Sequence, residues 1–304
     1  MPLFCLKPFQ MKKIFSILLI LIVFIIGGLW YLRSQIQDES IPTTERLIPA
    51  NSPKKALAIF AHPDDEITLI GTMRMLKQQG VETSICYMTR GEAGLNGSII
   101  DVSKINELAD TSLNKLKKQL GKRRTKEVDN IAQILELNNH EMFDFPDSGT
   151  SNIPIDSIKK VVRVLIQKYQ PSVIFTLDEK VGLYGHPDHR NVSRAVLEVF
   201  REDKGKAGFS PKKLYQVTLP QNMIKFALKI ADGFRKNYPK DPEKGLPQAD
   251  ICVYISPYGK YKRDAMLAHV SQRPTFDDMQ PGFATLPTWL YFRVFDREYF
   301  HVIE

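Results

Sequence analysis

The chain reads as an α/β protein: a Rossmann-like, mostly parallel sheet flanked by helices and preceded by one transmembrane helix. Three observations predict this. Short unbroken apolar runs, such as Ala56-Leu57-Ala58-Ile59-Phe60, alternate with segments of helical apolar spacing, the pattern of strands buried on both faces of a parallel sheet. Loops rich in histidine and carboxylate follow two of those runs. Finally, the nineteen residues from Ile14 to Leu32 carry no charge.

At about 1.5 Å rise per residue, that uncharged stretch crosses the hydrocarbon core of a bilayer. Lys7, Lys12 and Lys13 precede it, and Arg33 alone follows closely before Asp38 and Glu39. The positive-inside bias therefore predicts a cytoplasmic segment 1–13, a span 14–32, and the rest of the chain outside the cytoplasm. A cleavable signal peptide starting at Met11-Lys12-Lys13 is the competing reading. Gly28-Leu29-Trp30-Tyr31-Leu32 has no clear small-x-small cleavage site, and Trp30 and Tyr31 suit the far headgroup interface. Residues 33–53 contain Pro42, Pro49 and Pro53 and read as a polar linker to one domain over 54–304.

Within that domain, the strand at Ala56–Phe60 is followed by a helix in which Ile67, Ile70, Met73 and Leu76 recur until Gly80. Strand-like runs at Thr83–Thr89, Glu141–Phe145 and Ser172–Leu177 are separated by helices expected at Lys126–Leu137 and Ile155–Tyr169. Another helix is expected at Asn191–Phe200. The last third is less regular, with strands expected at Leu214–Leu219 and Ile251–Ser256 and helices at Met223–Arg235 and Lys260–Val270.

Composition narrows the functional classes. Of the net charge of +8, residues 1–40 account for +2. Much of the remainder sits between Lys115 and Lys126, where a solvated helix face is the plain reading. No aromatic residues interleave with these cations, so nucleic acid is not an expected partner. The cysteines Cys5, Cys86 and Cys252 lack CxxC spacing. Cys86 and Cys252 lie in strand-like runs and read as buried free thiols.

Two motifs carry the chemistry. His62-Pro63-Asp64-Asp65-Glu66 follows the first strand directly, and His186-Pro187-Asp188-His189 stands at another strand-to-helix junction. Taken alone, the first is equally an acidic helix cap, because a helix N-terminus favours carboxylates. The second changes that reading. In a doubly wound sheet both loops fall at the carboxyl ends of strands, where ligands collect. Together they offer the imidazole nitrogens and carboxylate oxygens that zinc takes, with three protein ligands sufficing for a catalytic site.

Further segments point to a family. The chain resembles the LmbE or PIG-L deacetylases, zinc hydrolases of N-acetylglucosaminyl groups, over roughly residues 54–304. The resemblance rests on the two motifs, on Thr89-Arg90-Gly91-Glu92-Ala93-Gly94, on Arg124-x-x-Glu127 with Ala132, on Phe145-Pro146-Asp147-Ser148-Gly149, and on Ala268-His269-Val270-Ser271-Gln272. It implies one zinc ion held by His62, Asp65 and His189, with Asp64 as general base on the attacking water. It also implies that His186 stabilises the tetrahedral intermediate or protonates the departing amine, with Asp188 holding that ring and raising its pKa.

Arg124 and Asp147 match family positions that contact the sugar, and Tyr184 lies two residues from His186, within expected reach of oxyanion or sugar. Glu66 is expected to cap its helix or to support His62, and His269 to be structural or supporting. The implied substrate is an N-acetylglucosamine-type sugar, lipid-linked or in an envelope glycan, because the anchor would hold the enzyme beside it. An amide hydrolase acting on another N-acyl group, and a non-catalytic glycan-binding protein, are the alternatives. Between Gly97 and Lys122 the chain is longer than a typical member, and this insert is expected to form a lid or membrane-facing flap.

Overall fold

The computed structural model describes residues 8–96 and 109–304. Helix α1 (Pro8–Ile36) is followed by β1 (Lys55–Phe60), a 3-10 turn over Asp65–Thr68, α2 (Ile70–Gln78) and β2 (Glu82–Tyr87). Next come α3 (Asp110–Leu135), β3 (Asn139–Met142), α4 (Ile155–Tyr169), β4 (Val173–Leu177), the single turn α5 (Gly182–Gly185) and α6 (Pro187–Asp203). The chain ends with β5 (Lys213–Thr218), α7 (Gln221–Ile230), α8 (Asp232–Asn237), β6 (Ile251–Tyr254), α9 (Gly259–Ala268), α10 (Arg273–Met279), α11 (Thr288–Val294) and β7 (Arg297–Ile303).

The sheet has the order β3-β2-β1-β4-β5-β7-β6. Strands β1 to β5 pair in parallel, whereas β7 runs antiparallel to both β5 and β6. The mostly parallel sheet expected from the apolar runs is therefore present. Its side chains alternate cleanly: Ala56, Ala58 and Phe60 of β1 join the core shared with α2, α3 and α9, while Leu57 and Ile59 join the core shared with α4 and α6. The chain leaves β1 toward β2 and β3, then returns to β4 on the other side of β1. That reversal makes the carboxyl ends of β1 and β4 the switch point where a crevice forms.

Several elements differ from the sequence reading. The long helix expected over Met223–Arg235 is two helices, broken where Ala231 adopts an extended backbone (φ −106°, ψ 112°). Helix α3 begins at Asp110 rather than Lys126, so one polar helix carries the end of the insert together with the Arg124 motif. Residues 97–108 of the insert lie outside the described residues. Helix α6 starts at Pro187, which places Asp188 and His189 inside its first turn rather than before it. Neither β7 nor α10 and α11 was marked by periodicity.

Helix α1 turns Ile14, Phe15, Ile17, Phe24 and Trp30 outward, all exposed, and is long and apolar enough to cross a membrane. Its last turn is clamped to the domain. Arg33 Nε donates to Asp296 at 3.0 Å, Gln37 Nε2 donates to the Val294 carbonyl at 2.5 Å, and Tyr299 Oη donates to Gln37. The proline-containing segment that follows packs as well: Leu47 is buried in the main core, and Thr43 bridges to Cys252. Cys86 and Cys252 are buried free thiols whose pKa values burial pushes up.

Candidate metal centre and active site

Strand β1 delivers Ala61 and His62 into the crevice, and the chain then makes a tight turn. Asp64 adopts φ +106°, which costs a non-glycine residue about 1–3 kcal/mol. The turn is pinned by Glu66, whose Oε2 accepts the Asp64 N–H at 2.8 Å and whose Oε1 meets His269 Nε2 at 2.5 Å. Glu66 is fully buried; burial opposes its ionisation, but the His269 charge and hydrogen bond hold its pKa below the usual carboxylate range. Both Glu66 and His269 therefore serve the turn, and neither touches His62.

The second loop is built by Asp178, at the end of β4. Its carboxylate accepts the N–H groups of Val181 (2.6 Å) and Leu183 (2.8 Å). This sets Gly182 at φ +65°, where a Cβ would sit 2.6 Å from the Cβ of His189, so only glycine fits. The Gly182 carbonyl then accepts the His189 Nδ1–H at 3.0 Å.

Hydrogen-bond partners assign the tautomers. His189 spends its proton on Gly182, leaving the Nε2 lone pair facing inward. His62 Nε2 faces Asp147 Oδ1 at 3.0 Å and Asp188 Oδ2 at 3.2 Å, which leaves Nδ1 facing inward. The two inward nitrogens are 3.0 Å apart. Asp65 Oδ1 lies 2.9 Å from His189 Nε2, and its Oδ2 lies 3.9 Å from His62 Nδ1. Asp65 is itself oriented by the N–H groups of Ala61 (3.1 Å) and His62 (2.9 Å).

Three electron-pair donors thus converge with no hydrogen to share among them unless a positive charge sits at their centre. The electrostatics agree. Burial works against protonation of His62, yet hydrogen bonds to Asp147 and Asp188 and the charge of Asp65 outweigh it and raise its pKa to about 10, so the surrounding carboxylates favour a positive charge at this ring, which a bound cation would supply in place of the proton. Asp65, Asp147 and Asp188 all remain below the ordinary carboxylate range: burial opposes ionisation in each, and the neighbouring imidazoles overcome it. The donor set of two imidazoles and a carboxylate fits a zinc ion.

The remaining candidates occupy less expected places. Arg124 is almost fully buried and binds Asp64 Oδ2 at 2.6 Å, the Gly91 carbonyl at 2.9 Å, and the Pro63 carbonyl. A Cβ on Gly91 would lie 2.2 Å from that guanidinium, so the glycine of the Thr89–Gly94 loop exists to admit Arg124. Asp147 accepts the Ala93 N–H at 2.7 Å through Oδ2 while Oδ1 faces His62. Both residues are expected to grip a sugar; in the fold the two terminal nitrogens of Arg124 hold the turn at Asp64, and the carboxylate of Asp147 holds the ring of His62.

Asp188 also differs from expectation. Its carboxylate serves Ser148 N–H, Thr150 N–H and Thr150 Oγ1 as well as His62. It does not hold the His186 ring; instead the backbone N–H of Asp188 donates to His186 Nδ1 at 3.2 Å, making His186 the cap of α6. Burial and the nearby rings of His189 and His62 lower the His186 pKa to about 4, so the ring is neutral near pH 7 and its Nε2 carries the proton. The Tyr184 ring stands edge-on to His189 and His186, at 5.2 Å and 6.2 Å between centroids.

Sequence reasoning missed Asp178 and Thr150. Asp178 works by accepting backbone N–H groups, and Thr150 by giving its own N–H and hydroxyl to Asp188, contacts across loops that leave no spacing pattern to read. Glu127 is bound to Ser271 through both its N–H (2.8 Å) and hydroxyl (2.7 Å), and so ties α3 to the segment carrying His269.

A doubly wound sheet with an imidazole–carboxylate centre at its switch point marks the class of metal-dependent α/β enzymes. Residues 57–200 match the family described as PIG-L, GlcNAc-PI de-N-acetylase, and over those residues the chain carries a deacetylase domain of the PIG-L/LmbE type, a family of zinc-dependent enzymes that hydrolyse amide bonds. A 1D-myo-inositol 2-acetamido-2-deoxy-alpha-D-glucopyranoside deacetylase of Thermobifida fusca is 27% identical over 247 residues, covering 72% of this chain and 83% of its own. A probable N-acetyl-alpha-D-glucosaminyl L-malate deacetylase 2 of Bacillus cereus is 29% identical over 220 residues, covering 72% and 84%. Among solved structures, the N,N'-diacetylchitobiose deacetylase of Pyrococcus horikoshii shares the fold with a TM-score of 0.56 at 20% identity, covering 84% of this chain and 85% of its own.

Proposed function

We propose that this protein is a membrane-anchored N-deacetylase that removes the acetyl group from an N-acetylglucosamine-type sugar carried on a lipid or an envelope glycan. The observation that carries the reading is the convergence of His62 Nδ1, His189 Nε2 and Asp65 beside a base held in a strained turn. His62, Asp65 and His189 would hold one zinc ion. Bound there, zinc supplies Lewis acidity that polarises the acetyl carbonyl and makes water a nucleophile near neutral pH.

The chain's own groups do the rest. Asp64, its pKa raised by burial and by neighbouring Asp65 against the pull of Arg124, accepts the proton of the attacking water. The same carboxyl returns that proton to the departing nitrogen. Neutral His186 donates its Nε2–H to the developing oxyanion, a task that needs a hydrogen bond rather than a charge. Tyr184 walls the site behind the imidazoles. The products are acetate and a free amino sugar. For location, Lys7, Lys12 and Lys13 ahead of the uncharged stretch 14–32 favour a cytoplasmic N-terminus and an extracytoplasmic catalytic domain.

The test is acetate release from a panel of N-acetyl sugars by the full-length protein, with bound metal quantified. About one zinc per chain is expected, with release reduced by roughly three orders of magnitude or more in Asp64→Ala and His189→Ala. Absence of zinc, or release indifferent to both substitutions, overturns the mechanism. A C-terminal reporter active only in the cytoplasm overturns the topology.

A further inference from the structure

Two open recesses with an excess of positive charge stand at the carboxyl edge of the sheet, the edge on which His62 leaves β1. The first, of about 410 Å³, lies between α3 and the loops after β2 and β3, and is lined by Arg90, Lys118 and Lys122 against Glu92 and Asp144. The second, of about 310 Å³, lies between α6 and the loop after β4, and is lined by Lys180, Arg190 and Arg194 against Glu179. Lys180 and Arg190 also border an adjoining recess that adds Lys244 and Glu243. Strands β2 and β3 stand on one side of β1 and β4 on the other. The two recesses therefore flank the metal centre.

Both are tied to that centre by hydrogen bonds. From the first, Glu92 Oε1 accepts the Asp147 N–H at 3.0 Å, and Asp147 Oδ1 meets His62 Nε2. At the second, Ser151 follows Thr150, whose N–H and hydroxyl donate to Asp188, and Arg190 follows His189 on α6. One loop thus runs from the first recess past His62 to the second. Asp144 lines one end and Ser151 the other, seven residues apart and so separated by at most about 25 Å. A few linked sugars cover that distance.

The charges are not consumed by the fold. Two of the carboxylates are occupied, Asp144 by Arg90 Nε at 2.5 Å and Glu179 by Gln216 Nε2 at 2.6 Å. Lys118, Lys122, Lys180 and Arg190 are exposed, and their side chains form no ion pair among the described residues. Cations grouped beside a crevice raise the local concentration of an anionic ligand and orient it on approach.

We propose that the recesses hold negative charges on either side of the sugar being deacetylated, so that the substrate is an acidic glycan strand lying across the metal centre. Carboxylates and phosphodiesters supply the same chemistry here. The inference rests on the deacetylase reading and narrows its substrate from a single amino sugar or lipid-linked sugar to a charged polymer. The recesses contribute binding only, and the hydrolysis stays with the metal centre.

The experiment uses the full-length protein in phosphatidylcholine nanodiscs and three substrates: a neutral chitin hexasaccharide, a hyaluronan hexasaccharide, whose uronic acids flank N-acetylglucosamine, and an oligomer of N-acetylglucosamine joined by phosphodiesters. At low ionic strength, kcat/KM for one of the two acidic oligomers is expected to exceed that for the chitin oligomer by about ten-fold, and which one shows the preference identifies the anion. The preference should fall toward parity at about 1 M salt. The double substitution Lys118→Ser with Lys122→Ser, and separately Lys180→Ser, are each expected to cut the acidic-to-neutral ratio about three-fold. In parallel, the favoured acidic oligomer is expected to protect Lys118, Lys122 and Lys180 from acetylation by an N-hydroxysuccinimide ester, and the chitin oligomer is not.

A ratio near one for both acidic oligomers overturns the inference, as does a preference that survives the substitutions, or protection confined to one recess. Protection of the same lysines by phosphatidylserine nanodiscs without any glycan also overturns it, because the recesses then face the bilayer. Failure of the deacetylase reading looks different: no oligomer yields acetate, while lysine protection still decides whether an acidic strand spans the two recesses.

Discussion

Asp147 and Asp188 both face the outer nitrogen of His62, at 3.0 Å and 3.2 Å, although one comes from the loop after β3 and the other from the first turn of α6. A carboxylate behind a metal-binding imidazole fixes its tautomer and raises its basicity. Asp147→Asn is accordingly expected to keep the fold but weaken zinc binding by about 10- to 100-fold, measured by competition with a chromogenic chelator. Asp64→Asn gives the complementary result. Its carboxylate is spent on Arg124 rather than on the imidazoles, so zinc content is expected to stay at the native level while kcat falls by roughly three orders of magnitude. If Asp64→Asn instead empties the site, Asp64 is a ligand and the roles of the adjacent pair must be exchanged. At this scale the sequence was informative about which residues meet and less so about what each one holds. His62, Asp65, His186 and His189 were legible because imidazoles and carboxylates at strand ends are chemically conspicuous. The tasks of Arg124, Asp147 and Asp188 depend on the direction a side chain takes across loops, and spacing does not encode that.

Helix α3 is the element that organises the crevice from behind. Arg124 locks the Asp64 turn to the Gly91 loop, and Glu127, one turn on, fastens the segment of Ser271 and His269. Arg124→Met leaves a buried Asp64 carboxylate and two carbonyls without their donor. Breaking such a pair from one side costs about 3–5 kcal/mol; one-fifth of the Asp64 side chain is exposed, so solvent screening brings the expectation to about 2–3 kcal/mol. Thermal unfolding of the zinc-loaded protein measures it, and an unchanged midpoint would leave Arg124 free for substrate. Strand β2 mixes Thr83 and Ser84 with Ile85, Cys86 and Tyr87, whereas β1 and β4 are readable as nearly continuous apolar runs because both their faces are buried. Strand β7 is not: Arg297-Glu298-Tyr299-Phe300-His301-Val302-Ile303 mixes ionic groups that pair within the fold, Glu298 with Lys262 and Arg297 with Glu39, into what would otherwise be an apolar pattern. The break between α7 and α8 escaped notice for the opposite reason. Apolar spacing continues through Ala231 and Phe234 while the backbone turns there to bury both beside Ile224.

Across the whole molecule, the apolar helix α1 and the catalytic domain are joined by buried polar contacts rather than by a free tether. Asp296 is almost completely buried; burial raises its pKa, and the nearby Arg33 opposes that rise. Gln37 meanwhile satisfies Tyr299 Oη and the Val294 carbonyl in the interior. Cutting the chain between α1 and the domain would therefore do more than release a soluble enzyme. A version starting at Asp38 loses Arg33, Ile36 and Gln37, leaving Asp296 with Arg297 as its remaining cation and removing the Gln37 partner of Tyr299 Oη and of the Val294 carbonyl. One starting at Tyr31 keeps all three residues and differs only in residual helix. With about 1–3 kcal/mol for each buried polar group left unpaired, and about 2–4 °C per kcal/mol for a domain of this size, the shorter version is expected to melt at least several degrees lower. Its zinc content should match that of the longer one, because no metal ligand lies in the removed segment. Equal melting temperatures would mean that the clamp contributes nothing to the domain's stability. A lower melting temperature with equal zinc would place the effect in the clamp alone, and would make residues 31–37 a structural part of the catalytic domain as well as the end of the apolar helix.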